Sequence, residues 1–258
     1  MRELSESKER KIGLALSGGS VRGIAHIGVL KALAESGIQP AIIAGTSVGS
    51  LIGAAIAAGL KWPDILQMAR EVFWPSLLNG RRLERFCAAW LPQNFEDLRL
   101  PFAAIATTVP DGQTVVLNSG KLAPAISASC AIRVLRRPVS LDGNRLKDGG
   151  ISCVLPSVVC RQMGADYVIG SDVWEFSAIL RGLGVTPAHH SASRLYPRQF
   201  LLALSNTDTL IQTSVPLIGY LPGPRSIDRL VAAGEAAARN VDLREQYNGR
   251  DHSCTPPL

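Results

Sequence analysis

Residues 41–60, AIIAGTSVGSLIGAAIAAGL, contain no charged side chain. A run of this length is long enough to span a bilayer as a single helix. Its first part, however, follows Pro40 and carries the β-branched Ile42 and Ile43, which favour a strand, and small and polar residues cluster at 45–50. A strand of a parallel sheet is buried on both faces and is therefore apolar throughout. The pattern predicts a strand, a turn and a buried helix rather than a membrane span.

A similar unit precedes this run. IGLAL at 12–16 has the length of a buried strand, and SGGSVRG at 17–23 is a glycine-rich turn. From Val21 to Leu33 apolar residues recur at helical intervals, and Gly37 is placed to end that helix. Two successive β-loop-α units predict an α/β fold with a mostly parallel central sheet and helices on both faces.

The rest of the chain continues the alternation. The pattern predicts further helices at 63–72, 81–91, 122–131, 157–164, 200–215 and 226–240, and strands at 101–109, 113–118 and 165–173, with a strand and turn at 216–224. Asp142-Gly143 is a hairpin signal whose second strand reaches Asp148. We expect the segment 199–221 to be buried helix rather than a lid or a membrane-contacting surface. No linker or repeat divides the chain, so a flexible tail at 1–11 and one domain at 12–258 are expected.

Composition supports a folded enzyme-sized domain. The 258 residues are 47% hydrophobic and 19% charged, which excludes a disordered chain. The five cysteines fit neither a disulfide framework nor a metal site, because they are odd in number and have no CxxC or Cys/His spacing. The polar tail lacks the apolar stretch of a signal peptide, so a cytoplasmic protein is expected.

The net charge of +6 comes mostly from arginine. Arginine suits contacts to phosphate and carboxylate, so an anionic partner is one interpretation; a solvated basic surface is the simpler one. Nucleic acid is not among the expected partners, and the oligomeric state is not predicted.

The strongest candidate for chemistry is GTSVG at 45–49, a G-x-S-x-G motif with Ser47 between a strand and a helix. In that context the motif is a nucleophile elbow, in which the glycines permit a strained turn that exposes the serine hydroxyl. The N-terminal end of the following helix would favour a developing oxyanion.

The turn SGGSVRG supplies backbone donors beside such a nucleophile. Successive N–H groups of Gly18, Gly19 and Ser20 can form an anion-binding nest. A dinucleotide-binding loop would need glycine at Ser20, and a phosphate-binding loop of the Walker type would need a Gly-Lys-Ser/Thr sequence, which is absent. An oxyanion hole needs only closely spaced backbone N–H donors beside the nucleophile, and this turn supplies them.

A nucleophilic serine needs a base. His26 lies inside a predicted helix, where a packing histidine is the simpler interpretation, and the other histidines, His189, His190 and His252, lie in segments without a site motif. Asp148, in LKDGG, follows a strand, and burial beside the serine would raise its pKa toward that of a useful base. Taken alone, Asp148-Gly149 fits an ordinary loop better than a catalytic site.

Taken together, GLALSGGSVRGIAHIGVLKAL, GTSVGS and DGG resemble the patatin-like phospholipases in order and approximate spacing, and the resemblance extends through GADYVIGSDV. It implies a three-layer α/β architecture and a dyad of Ser47 and Asp148 without histidine. It also implies an oxyanion loop of Gly18, Gly19, Ser20 and Arg22. The implied reaction is hydrolysis of lipid acyl esters through an acyl-serine, with no metal and no cofactor.

The chain departs from the family pattern just ahead of Asp148. Where many bacterial members have an Ile-Pro-Gly turn, this chain has Ile132-Arg133-Val134, followed by Arg136 and Arg137. We hypothesise that these three arginines bias the site toward an anionic head group or a peripheral contact with an anionic membrane surface. Two rivals stay open: a general carboxylesterase or thioesterase for short acyl esters, and a non-catalytic lipid-binding module.

Overall fold

The computed structural model describes residues 10–72, 74–132, 135–173, 198–215 and 223–241. Within these ranges the strands form one sheet. They are β1 (Ile12–Leu16), β2 (Ile42–Thr46), β3 (Phe102–Thr108), β4 (Thr114–Leu117), β5 (Val139–Leu141), β6 (Asn144–Asp148), β7 (Tyr167–Asp172) and β8 (Thr209–Gln212). The helices are α1 (Ala25–Glu35), α2 (Val48–Ala57), α3 (Trp62–Glu71), α4 (Gly80–Trp90), α5 (Leu122–Ser129), α6 (Ser157–Gln162), α7 (Arg198–Ser205) and α8 (Pro224–Arg239).

The sheet has the order β5-β6-β3-β2-β1-β7-β8, with β4 paired to β3. The neighbours from β3 through β2, β1 and β7 to β8 are parallel, whereas β4, β5 and β6 join by antiparallel pairing. The predicted α/β fold with a mostly parallel central sheet is therefore confirmed.

Alternate residues of the central strands feed two separate cores, because successive side chains of a strand point to opposite faces. Leu14 and Leu16 of β1 pack with α1, α2 and α8 on one face. Ala15, between them, packs with α6 and α7 on the other face. Helices therefore cover both faces, which gives the three layers that the resemblance implied.

The order in which strands are added to the sheet changes direction at β1. From β1 the order runs one way to β2 and β3, and the other way to β7 and β8. Open α/β sheets bind ligands beyond the carboxyl ends of the strands at such a switch point. Both the glycine-rich turn after β1 and Ser47 after β2 lie at this edge.

The uncharged run at 41–60 is strand β2, a turn and helix α2, as predicted. In the described ranges, no helix combines the length and apolarity needed to cross a bilayer. Gly37 ends α1 with a positive φ of 75°, and the N–H of Ile38 closes the helix end on Leu33 O at 2.9 Å.

The single helix predicted at 200–215 is wrong. Helix α7 ends at Ser205, and β8 follows at Thr209–Gln212. The side chains of Asn206 and Thr207 hydrogen-bond to carbonyls of the last helical turn, and Asp208 pairs by its backbone N–H with Val168 O. The β-branched Thr209 and Ile211 then add to β7. The prediction for 199–221 as buried helix is thus wrong for β8, and its residues 216–221 lie outside the described ranges.

Candidate active site

Ser47 occupies the single position between β2 and α2. Its backbone has φ 54° and ψ −125°, a conformation that costs a non-glycine residue free energy and is concentrated at functional sites. The backbone N–H of Ser47 donates to Ser129 Oγ at 2.9 Å, and Ser50 Oγ donates to Ser47 O at 2.6 Å. These bonds hold the turn, and the Ser47 side chain stays free for another partner.

The glycines of the motif act through close packing, not through their own backbone angles. A Cβ on Gly49 would lie 2.4 Å from the carbonyl oxygen of Leu16, and one on Gly45 would lie 2.2 Å from that of Gly49. Positive φ in this turn belongs to Ser47. The glycines thus permit the strained turn by letting α2 approach β1, and the serine carries the strained conformation.

The partner of the serine hydroxyl is Asp148. Ser47 Oγ donates to Asp148 Oδ2 at 2.7 Å, across 101 positions of sequence. The other carboxylate oxygen, Oδ1, accepts the N–H of Gly150 at 2.8 Å. The Asp148 backbone is fixed by its N–H bond to Ala131 O and by Thr107 Oγ1, which donates to Asp148 O. Both members of the predicted pair thus lie in direct contact.

Gly149 lets the aspartate reach this position. A Cβ there would lie 2.2 Å from the carbonyl oxygen of Ile105 in β3. The turn after β6 therefore packs directly on the β3 backbone, which brings Asp148 level with the end of β2.

Burial raises the pKa of the Asp148 carboxyl above its ordinary value. The hydrogen bonds from Ser47 and Gly150 and the charge of Arg136 act in the opposite direction and offset part of that rise. A carboxylate with a raised pKa is a stronger base, so the environment suits proton transfer from the serine.

The side chain of Arg136 points into the protein. Its guanidinium donates to Ser127 O at 2.9 Å and to Ser127 Oγ at 2.8 Å, and it lies against Gly80. It therefore acts on Asp148 through its charge and is half-buried, whereas Arg137 is exposed. Arg133 lies outside the described residues. The hypothesis of three arginines facing a lipid surface does not fit the inward position of Arg136.

The glycine-rich turn lies directly against the serine. The N–H of Gly18 donates to Val154 O at 3.1 Å and is therefore engaged. Of the residues described, none accepts a backbone hydrogen bond from Gly19 or Ser20. Ser20 has φ 54°, and it lines the same cavity as Ser47. Gly19 and Ser20 are thus the amides of this turn placed to receive an anion.

Arg22 supports the turn. Its Nε donates to Gly19 O at 3.2 Å, its backbone N–H bonds the same oxygen at 3.3 Å, and the residue is buried. Through these two hydrogen bonds Arg22 fixes the peptide that carries the Ser20 N–H.

His26 is a packing histidine, as predicted. It is 1% exposed, and its two ring nitrogens lie within hydrogen-bond distance of Ser171 Oγ and Ser17 O. Burial lowers its pKa to about 4. His189, His190 and His252 lie outside the described residues. In the ranges described, no three His, Cys, Asp or Glu side chains converge on a point that could hold a metal ion.

A cavity of about 50 Å³ opens beside Ser47. Apart from Ser20 and Ser47 its walls are apolar or sulfur-bearing: Val21, Val48, Leu51, Trp74, Leu78, Leu83, Cys130 and Ile132. Burial raises the pKa of Cys130 to about 12, so this thiol stays protonated and does not compete as a nucleophile. Sequence reasoning missed the wall residues, since they come from four separate parts of the chain.

Comparison with known proteins agrees with the family resemblance seen in the sequence. A family model described as patatin-like phospholipase matches residues 14–157. An uncharacterized NTE family protein of Mycobacterium tuberculosis is 35% identical over 176 residues, which cover 63% of this chain and 49% of that protein. Patatin-like phospholipase domain-containing protein 6 of Mus musculus is 34% identical over 181 residues, 63% of this chain and 13% of that protein. Lysophospholipase NTE1 of Coccidioides immitis is 33% identical over 181 residues, 64% of this chain and 12% of that protein.

This chain thus matches about half or less of the length of these relatives. Among solved structures, VipD from Legionella pneumophila superposes with a TM-score of 0.57 at 16% identity, over 90% of this chain and 66% of that one, which supports the fold alone. The family match covers more than half of the chain and includes both Ser47 and Asp148. The chain belongs to the patatin-like phospholipase family.

Proposed function

We propose that the protein is a serine acyl hydrolase that cleaves fatty-acyl esters of phospholipids or lysophospholipids. The observation that carries the proposal is the 2.7 Å hydrogen bond from Ser47 Oγ to Asp148 Oδ2 at the mouth of an apolar cavity. Family membership and relatives named as phospholipase and lysophospholipase support the lipid substrate class.

In the first half-reaction Asp148 accepts the Ser47 proton while Oγ attacks the acyl carbonyl carbon. The N–H groups of Gly19 and Ser20 stabilise the oxyanion of the tetrahedral intermediate. That intermediate collapses with cleavage of the bond to the alcohol, which leaves with the proton that Asp148 returns. The acyl group is then esterified to Ser47.

In the second half-reaction a water molecule takes the place of the alcohol. Asp148 removes a proton from the water as it attacks the acyl-serine, and the same proton passes to Ser47 Oγ when the ester bond breaks. The products are a fatty acid and the free enzyme. Division into two steps replaces one high barrier by two lower ones.

The cavity supports an apolar acyl group, because the wall residues that the structure describes include no charged side chain. Its small size favours a second candidate, a carboxylesterase or thioesterase for short acyl chains. A chain-length series of p-nitrophenyl esters, run beside a lysophospholipid and a phospholipid, separates the two. Turnover that rises with chain length and extends to lysophospholipid supports the first; turnover confined to short esters supports the second. Lipid binding by a folded protein that hydrolyses none of them supports a non-catalytic module.

A further inference from the structure

A broad open depression of about 900 Å³ lies between α4 and the start of α5. It shares no lining residue with the Ser47 cavity, to which α4 contributes only Leu83. Arg81, Arg85 and Ala88 follow one another at helical spacing and line the depression. Helix α4 therefore separates the two spaces, with the catalytic cavity on its buried side and the depression on its exposed side.

Three cations face the depression. Arg81 and Arg85 come from α4, and Lys121 comes from the residue that precedes α5; all three are exposed. Within the described part of the chain none of the three forms an ion pair, and Glu84 is the acidic residue of the lining. Like charges one helical turn apart repel each other. A bound anion would relieve that repulsion.

Most of the remaining wall is apolar and is formed by Ala88, Leu91, Pro92, Ala123 and Pro124, with Gln93 as a further polar residue. A depression that combines exposed cations with partly buried apolar side chains suits a partner that presents phosphate groups beside hydrocarbon. The surface of a bilayer that contains anionic phospholipids has this chemistry.

The depression and the candidate active site are bordered by the same two helices. Leu83 of α4 and Cys130, which follows α5, line the Ser47 cavity, and the inward-facing Arg136 lies against Gly80 at the start of α4. The same two helices therefore carry the cations on the outside and the catalytic cavity on the inside. A lipid surface held on this face would lie beside the site of ester cleavage.

We propose that this depression docks the protein on bilayers containing anionic phospholipids. The proposal rests on the proposed function, which makes lipid the substrate, and adds the surface and the charge of its partner. It assigns the contact to Arg81, Arg85 and Lys121 instead of to Arg136.

The test is sedimentation with two kinds of vesicle, one of phosphatidylcholine alone and one of equal parts phosphatidylcholine and phosphatidylglycerol. The test variant is the triple change Arg81→Gln, Arg85→Gln and Lys121→Gln. The matched control removes the same charge elsewhere, by Arg145→Gln, Arg225→Gln and Arg229→Gln, at exposed positions of β6 and α8. Thermal unfolding of each variant verifies that it is folded.

The wild type and the control are expected to bind the anionic vesicles and to leave the neutral ones in solution. The test variant is expected to partition onto anionic vesicles at least about tenfold more weakly, since each basic residue near the surface contributes to the attraction. Equal binding by the test variant and the wild type, or equal binding of the wild type to both vesicles, would overturn the proposal. Hydrolysis of a soluble p-nitrophenyl ester by the wild type is measured separately, so failure of the proposed function is seen independently of docking.

Discussion

The Nε2 atom of His26 lies 3.0 Å from the carbonyl oxygen of Ser17, and this contact determines which ring nitrogen carries the proton. A carbonyl oxygen only accepts, so Nε2 must donate. Nδ1, 2.7 Å from Ser171 Oγ, is then the unprotonated nitrogen and accepts from the hydroxyl. The neutral imidazole thereby joins α1 to β7 and to Ser17, the first residue of the glycine-rich turn.

This arrangement predicts a pH-dependent contribution to stability. The pKa of His26 is lowered from 6.5 to about 4 by burial, so the unfolded chain binds a proton over a range in which the native protein does not. The stabilisation from the neutral His26 is fully present above pH 6.5 and is lost as the pH falls toward about 4. The free energy of unfolding decreases by roughly 3 kcal/mol over this range. We expect the unfolding free energy of the wild type to fall more steeply over this range than that of His26→Gln. Ser171→Ala, which retains the imidazole, should keep the steep fall; parallel curves for wild type and His26→Gln would contradict the assignment.

Arg136 should influence the pH below which activity is lost. Its charge lowers the pKa of Asp148 against the rise caused by burial, so Arg136→Gln should raise that pKa further. Because the base must be ionised, we expect the low-pH limb of kcat/KM for a soluble ester to move to higher pH in Arg136→Gln. Arg136→Lys should restore much of the original limb. Arg137→Gln, which changes the exposed neighbouring charge, serves as the control, and the same displacement in that variant would argue against a specific effect.

Gly149 should tolerate no side chain. A methyl group there would lie 2.2 Å from the Ile105 carbonyl oxygen, so the turn that carries Asp148 must move in Gly149→Ala. We expect a loss of about 1–3 kcal/mol in the free energy of unfolding, together with a fall in kcat. Gly223→Ala is the control, because no atom lies within 4 Å of a Cβ there; its helix-capping position limits the cost to about 1 kcal/mol or less. Equal effects of the two changes would show that the close approach to β3 is unimportant.

Short motifs made the central part of the site predictable. Ser47 follows a strand and precedes a helix, and Asp148 is the last residue of a hairpin strand. The parallel sheet places Ser47 at the carboxyl edge. Asp148 lies near the same edge because the antiparallel strand β6 pairs only with the last three residues of β3. The family resemblance then paired the two residues.

Contacts between distant segments could not be predicted in the same way. Ser129, which accepts the Ser47 N–H, is 82 residues away, and Val154 takes the Gly18 N–H that the sequence offered as an oxyanion donor. The boundary between α7 and β8 was missed for a related reason. Leu210 and Ile211 fit a helical pattern as well as a strand, and pairing with β7 decides between them.

In the proposed mechanism Ser47 attacks the acyl carbonyl carbon and Asp148 takes its proton. The most direct test labels the purified protein with a fluorophosphonate probe and measures hydrolysis of a p-nitrophenyl ester for the wild type, Ser47→Ala and Asp148→Asn. Asp142→Asn, an exposed position of the same hairpin with a positive φ that asparagine tolerates, is the control. We predict that Ser47→Ala abolishes labelling, that Asp148→Asn lowers kcat at least about a hundredfold while remaining folded, and that Asp142→Asn behaves as the wild type. Labelling and turnover retained in either Ser47→Ala or Asp148→Asn would contradict the account.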